Sequence, residues 1–262
     1  MLYNPNFFNR WVRILGTMKK SICTAIATLA LAFCALGVFA SEPLTNGEEL
    51  IGQIHSRYSS DWYSHITFKQ DMYRYKNDSL VRNEVWMVAY SSPSRLHIRY
   101  KDFSSGRGWL VVNDSLFTFN HNKLIGTRPR LHEVMILGYD MYSVNPSIVI
   151  PKVVGLGIDL SRVRVTTIKG KEYYEVGNNN VKCFWVGKDD LLFHGIRKVD
   201  ENGVTEIFYQ NYKMIYDKPV ATEVQYFENG QMYLYEKYFD IRLPSSLPDD
   251  FFDPNLFSET RW

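Results

Sequence analysis

Between His65 and Ile241 the chain is a succession of short aromatic and β-branched runs, each cut off by a cluster of Asn, Asp, Gly or Ser. Runs this short are too brief for ordinary helices, and the recurring turn residues leave no room to lengthen them. From His65 the period is two: Ile66, Phe68 and Gln70 alternate with Thr67, Lys69 and Asp71. Runs at 85–90, 96–100, 109–112 and 116–119 follow. After an interruption come 163–168, 173–176, 182–186, 193–199, 205–212, 221–227 and 232–241. Asn202-Gly203 and Asn229-Gly230 are the pairs favoured in tight hairpins. The spacing predicts an antiparallel meander of about eleven strands.

Two stretches break this period. Thr45-Asn46-Gly47-Glu48 reads as a capping box with Thr45 at the N-cap, and Leu50, Ile51 and Ile54 recur at helical spacing. A helix of about twelve residues ending near Ser59-Ser60 is expected. Residues 130–157 have the densest apolar content and several Pro and Gly residues. They predict short helices covering the sheet, broken at Pro146 and Pro151. The aromatic, Pro-rich tail, 243–257, is expected to pack back onto the domain.

The first forty residues differ in kind. They hold Arg10, Arg13, Lys19 and Lys20 and no acid, then an apolar run, 22–39, closing with Val38-Phe39-Ala40. This is the pattern of a secretory signal peptide with cleavage between Ala40 and Ser41. Met18-Lys19-Lys20 reads as the natural start. Residues 41–262 are then a single mature domain in the periplasm. Cys34 follows Leu31-Ala32-Phe33, and Phe is a poor fit to the residue before a lipid-modified cysteine, so a soluble monomer is expected. The chain has 30 Lys+Arg and 28 Asp+Glu. Loss of the leader leaves 26 against 28, a net charge of −2 that gives no electrostatic case for nucleic acid. Only Cys183 survives cleavage, which excludes an intramolecular disulfide.

No catalytic or metal pattern emerges, and neither cofactor nor metal is expected. The chain contains no HExxH, CxxC or GxSxG. Cys183 stands in an apolar strand and reads as core rather than nucleophile. His132-Glu133 reads as a loop or helix start. Asp189-Asp190 reads as turn chemistry and Asp249-Asp250 as a helix start. Gly155-Leu156-Gly157 lacks the third glycine and lysine of a nucleotide loop. Asp78-Ser79-Leu80 and Asp114-Ser115-Leu116 resemble the Asp-Ser/Thr-apolar O-glycosylation site of some bacteria. This marks Ser79 and Ser115 beside ordinary turn chemistry.

Aromatic content carries more weight: 18 Tyr, 16 Phe and 6 Trp. Several runs are apolar on both faces, with Val85, Met87 and Ala89 against Trp86, Val88 and Tyr90, and Leu110 and Val112 against Trp109 and Val111. Such a strand either packs between two layers or lines an apolar cavity lidded by 130–157.

The order of motifs resembles a known family. An N-terminal helix leads to a strand, then Glu84-Val85-Trp86-Met87-Val88, then Pro93-Ser94-Arg95-Leu96-His97-Ile98. The hairpin running from Trp109 to Asn120 follows. Phe184-Trp185-Val186-Gly187-Lys188-Asp189-Asp190 leads to the strand bearing Arg197 and to Glu201-Asn202-Gly203. Leu247-Pro248-Asp249-Asp250-Phe251-Phe252-Asp253-Pro254 closes the chain. Over 46–257 this is similar to the outer-membrane lipoprotein-sorting superfamily, the LolA/LolB-like carriers. The resemblance implies a mainly β, curved, incomplete antiparallel barrel closed by helices, whose cavity holds lipoprotein acyl chains or another lipid. It implies handover from an inner-membrane donor to an outer-membrane acceptor, with transient membrane contact and no covalent step. The expected lining is Trp86, Val88, Leu96, Ile98, Trp109, Val111, Phe117, Phe119, Ile136, Leu137 and Tyr139. Carriers of this family have an Arg directly before the Pro after the Trp strand, which latches the lid; here Tyr90, Ser91 and Ser92 precede Pro93. The other reading is an interaction module, an envelope-stress sensor or transporter accessory subunit on the same scaffold. An enzyme ranks third.

Overall fold

Hairpin turns organise the molecule. Asn77-Asp78, Asn113-Asp114, His121-Asn122, Lys169-Gly170, Tyr216-Asp217 and Asn229-Gly230 each put two successive residues at positive φ. This is the turn whose twist matches that of the flanking strands. The strands they and longer loops join are β1 (His65–Lys76), β2 (Ser79–Ser91), β3 (Arg95–Tyr100), β4 (Gly108–Val112), β5 (Ser115–Asn120), β6 (Lys123–Pro129), β7 (Val163–Ile168), β8 (Lys171–Asn178), β9 (Lys182–Gly187), β10 (Phe193–Asp200), β11 (Gly203–Ile215), β12 (Lys218–Glu228) and β13 (Gln231–Arg242). The computed structural model describes Leu44 and residues 46–262. Met18, Ala40, Ser41 and the whole expected leader lie outside the described residues.

The strands form one antiparallel sheet in the order β6-β5-β4-β3-β2-β1-β13-β12-β11-β10-β9-β8-β7. Every neighbour is a sequence neighbour except β1 and β13, which join the two halves. The sheet is not closed: β6 and β7 are its free edges. It is the expected curved, incomplete barrel with helices, with thirteen strands instead of about eleven. The strand that sequence reading leaves out altogether is β6, exposed along its whole length. Its Gly126 and Pro129 read as loop residues, and an edge strand tolerates both.

Register shifts within β1, β5, β10 and β12 bend the sheet. Glycines let strands cross closely at the bends. A Cβ on Gly108 would strike the Ile98 carbonyl oxygen, and one on Gly177, whose φ is 109°, would lie 2.5 Å from the Lys182 carbonyl oxygen.

Helix α1 (Gly47–Tyr58) buries Leu50, Ile51 and Ile54. Its N-cap is Asn46, whose Oδ1 accepts from the Glu49 amide at 2.8 Å. Asn46 therefore takes the role expected of Thr45, which is outside the described residues. The helical excursion comprises α2 (Glu133–Met135), a π-helical turn (Ile136–Asp140), α3 (Met141–Ser143) and α4 (Pro146–Gly155). The chain does break before Pro146, which opens α4, but α4 runs through Pro151. Pro151 is exposed, so the Ser147 carbonyl it leaves unbonded lies toward water. The tail forms two short 3-10 turns, Asp249–Phe252 and Pro254–Leu256. Phe257 stacks on Phe119 at 3.9 Å and against the Arg99 guanidinium at 3.8 Å.

Candidate functional site

The site begins with strand parity at the middle of the sheet. On β1, Phe68, Gln70 and Met72 share one face. Register places Val88 opposite Phe68, and both Trp86 and Tyr238 opposite Gln70. Ile98 then lies opposite Val88, and Trp109 opposite Ile98. On the other side Glu236 faces Met72, and Leu234 pairs with Tyr226. These side chains line a cavity of about 260 Å³ together with Arg74, Leu96, His132, Val134, Met135, Tyr139 and Tyr209. A second space of about 230 Å³ shares His132, Val134 and Tyr226 with it and is bordered by Arg130, Glu133, Lys182 and Lys198. The joint volume falls within the range of ligand pockets. A wider groove of about 460 Å³ runs past Lys171, Trp185, His194 and Phe208. It holds the His194–Asp190 pair at 3.2 Å. No Ser, Thr or Cys lines it, and the rings of Tyr173 and Tyr212 lie against His194, 5.2 and 5.3 Å between centroids.

The helical excursion covers the cavity and is fastened at three places. Asp140, 2% exposed, accepts from the Tyr90 hydroxyl at 2.5 Å, from the Ser94 amide at 3.0 Å and from the Ser94 hydroxyl. Burial raises its carboxyl above the ordinary range, against the pull of those bonds and of Lys152. Lys152 in α4 reaches Asp114 at 2.7 Å and Ser94 at 3.3 Å. Lys182 of β9 donates to Glu133 at 3.1 Å and to the Leu156 carbonyl at 3.0 Å, holding both ends of the excursion. The π-helical turn sends Tyr139 into the cavity and the adjacent Asp140 to the β2–β3 turn. Such turns recur at functional sites. Tyr139 stacks on Tyr90 at 4.6 Å, and Tyr142 stacks on Trp62 at 3.8 Å beneath α1.

Of the residues singled out in the sequence, Trp86, Val88, Leu96, Ile98, Trp109 and Tyr139 line the cavity. Val111, Ile136 and Leu137 are buried in the adjoining core. Phe117 and Phe119 are placed elsewhere: they pack with Leu110 and Phe257 on the opposite face, under the C-terminal tail. Phe117 pairs with Leu110, whereas Trp109 pairs with Thr118, so the two phenylalanines follow Leu110 outward. Ser79 is exposed and Ser115 half-buried, each directly after a two-residue turn. Cys183 is a buried free thiol, which burial pushes up to about 12.

Sequence reading missed Gln70, His132, Asp140, Glu236 and the tyrosines at 209, 226 and 238. Asp140 carried a signal, a lone acid inside the most apolar stretch. Glu236 carries none, because its neighbours Tyr235 and Lys237 give no sign of burial. His132 lies against the Trp109 ring, 5.5 Å between centroids, and burial lowers its imidazole to about 4. Among the described residues its Nδ1 has no hydrogen-bond partner, and no group of His, Cys, Asp and Glu could hold a metal ion.

No family model and no curated protein matches the chain. Solved structures do. A LolA superfamily protein from Nitrosomonas europaea has a TM-score of 0.52 at 14% identity, over 80% of this chain and 98% of that one. A putative outer membrane lipoprotein-sorting protein domain from Vibrio parahaemolyticus has a TM-score of 0.53 at 12% identity, over 81% and 98%. A DUF1329 family protein from Desulfovibrio piger has a TM-score of 0.53 at 13% identity, over 79% and 95%. At these identities the likeness is one of fold: the chain shares the fold of these three solved structures. Among the described residues no helix is long and apolar enough to cross a membrane.

Proposed function

We propose that this protein is a carrier that shields a lipid, the acyl chains of a lipoprotein or of another lipid, and hands it to an acceptor in the cell envelope. The observation that carries this reading is the apolar, aromatic-lined cavity beneath a separately fastened helical lid. Trp86 and Trp109 are only half-buried although they stand on its wall. That leaves apolar surface for a ligand to cover, and each CH₂ covered contributes about 0.8 kcal/mol. The mechanism is binding and release without covalent chemistry. The leader pattern supports a periplasmic place, and the fold shared with lipoprotein-sorting proteins supports this cargo over an interaction module with a filled core.

The test is native against denaturing mass spectrometry of the full chain, expressed with export and purified without detergent. A native mass excess that extracts as lipid is expected. Trp109→Asp should keep the circular dichroism of the parent and lose that excess. A bare polypeptide mass with no uptake of a fluorescent fatty acid would favour the interaction module.

A further inference from the structure

Glu236 stands on the cavity wall between Leu234 and Tyr238, opposite Met72 of β1 and Val224 of β12. It is 5% exposed, and among the described residues it forms no ion pair. The Tyr238 hydroxyl donates to it at 3.2 Å, and the Tyr226 hydroxyl also bonds to it, leaving the carboxylate's other acceptor positions free. The other charged or titratable groups facing it are Arg74 of β1, Tyr139 of the lid, Tyr209 of β11 and Tyr226 of β12, and His132 lines the same cavity. Beside it the buried Gln70 amide donates only to the Met72 sulfur, at 3.0 Å, a weak acceptor. A carboxyl and an amide thus stand in an apolar cavity with hydrogen-bonding capacity unused.

A leucine at 236 would serve packing better, because a buried acid that no ion pair neutralises is costly, and Arg74 on the same wall only partly offsets that cost. We propose that Glu236 selects the ligand: with the Tyr226 and Tyr238 hydroxyls and the Gln70 amide it admits the neutral carbonyl of an acyl ester or amide and rejects a free carboxylate. This rests on the cavity being a lipid site. A neutral carbonyl accepts from the hydroxyls, from the Gln70 amide and from protonated Glu236. A free fatty acid would set a second carboxylate beside the first in a medium that screens poorly, and one of them must take up a proton. Burial already pushes Glu236 up to about 7, so the rejection strengthens as pH rises through neutrality. Over that range His132 stays neutral.

Binding of three ten-carbon probes, followed by the protein's tryptophan fluorescence, to which Trp86 and Trp109 on the cavity wall contribute, tests this at pH 8 and pH 5.5. The probes are 1-monodecanoylglycerol for a glyceride ester, N-decanoylalaninamide for the N-acyl end of a lipoprotein, and decanoate. At pH 8 the tighter neutral probe should bind at least about tenfold better than decanoate, equivalent to about 1.4 kcal/mol, and its identity names the source. At pH 5.5 the gap should narrow. Glu236→Gln should close it to about threefold or less by gaining decanoate, a difference under 1 kcal/mol. Tyr238→Phe should weaken the neutral probes and leave decanoate unchanged. Equal binding of all three probes, or a gap untouched by pH and by Glu236→Gln, overturns the selection and leaves the lipid site standing. If wild-type protein binds none of the three, the lipid site falls and the selection with it.

Discussion

At the residue scale, two buried acids act in opposite ways. Asp140 holds the lid to the sheet. Asp140→Ala strands the Tyr90 hydroxyl and the Ser94 amide inside the protein, and the expected loss is about 2–3 kcal/mol by urea denaturation. Glu236 opposes stability at neutral pH. Its carboxyl ordinarily loses its proton near 4.5 and in the folded chain near 7. Between those values the folded state holds more protons, so stability falls as pH rises through the window. The cost above pH 7 is about 3 kcal/mol. Glu236→Gln should therefore be more stable than the parent at pH 8, with the advantage gone at pH 4. Denaturation curves at both pH values check this, and equal stability at pH 8 would contradict it.

At the element scale, β6 and the strand crossings matter most. Leu124 and Ile125 on β6 are 52% and 63% exposed, beside a row of unpaired backbone groups. This is an invitation to add a foreign strand. Ile125→Lys should leave folding stability within about 0.5 kcal/mol while lowering self-association, read by light scattering across a concentration series. Gly108→Ala is the contrasting case. Its methyl would meet backbone rather than a side chain able to swing aside, so a loss of at least about 2 kcal/mol is expected, read by thermal denaturation.

At the scale of the whole molecule, the residues from Leu44 to Trp262 form one compact unit. All strand pairs but β1–β13 are local in sequence, so most of the sheet can assemble from hairpins before that one distant contact closes. For a monomer of about 220 residues the radius of gyration should be about 17 Å. Small-angle scattering giving that value on dilution would place the β6 edge free in solution. A substantially larger value would mean that edges pair between copies.

The sequence by itself determined the local structure. Alternation and Asn, Asp and Gly turns define hairpins because pairing between adjacent strands follows from turn geometry. Helix α1 follows from Leu50, Ile51 and Ile54, and the excursion over 130–157 from its change of pattern. The sequence also pointed to eleven apolar residues as a lining, and six of them, three aromatic and three aliphatic, line the cavity. Only the tertiary structure decided which face of each strand looks inward. Where both faces are apolar, period-two reasoning is blind, and Phe117 and Phe119 went to the tail instead of the cavity for that reason. The β1–β13 pairing, which brings Gln70 beside Tyr238 and Met72 beside Glu236, likewise joins segments more than 150 residues apart in the chain. No local pattern encodes such a contact, because what fixes it is the burial of both halves of the sheet around one core.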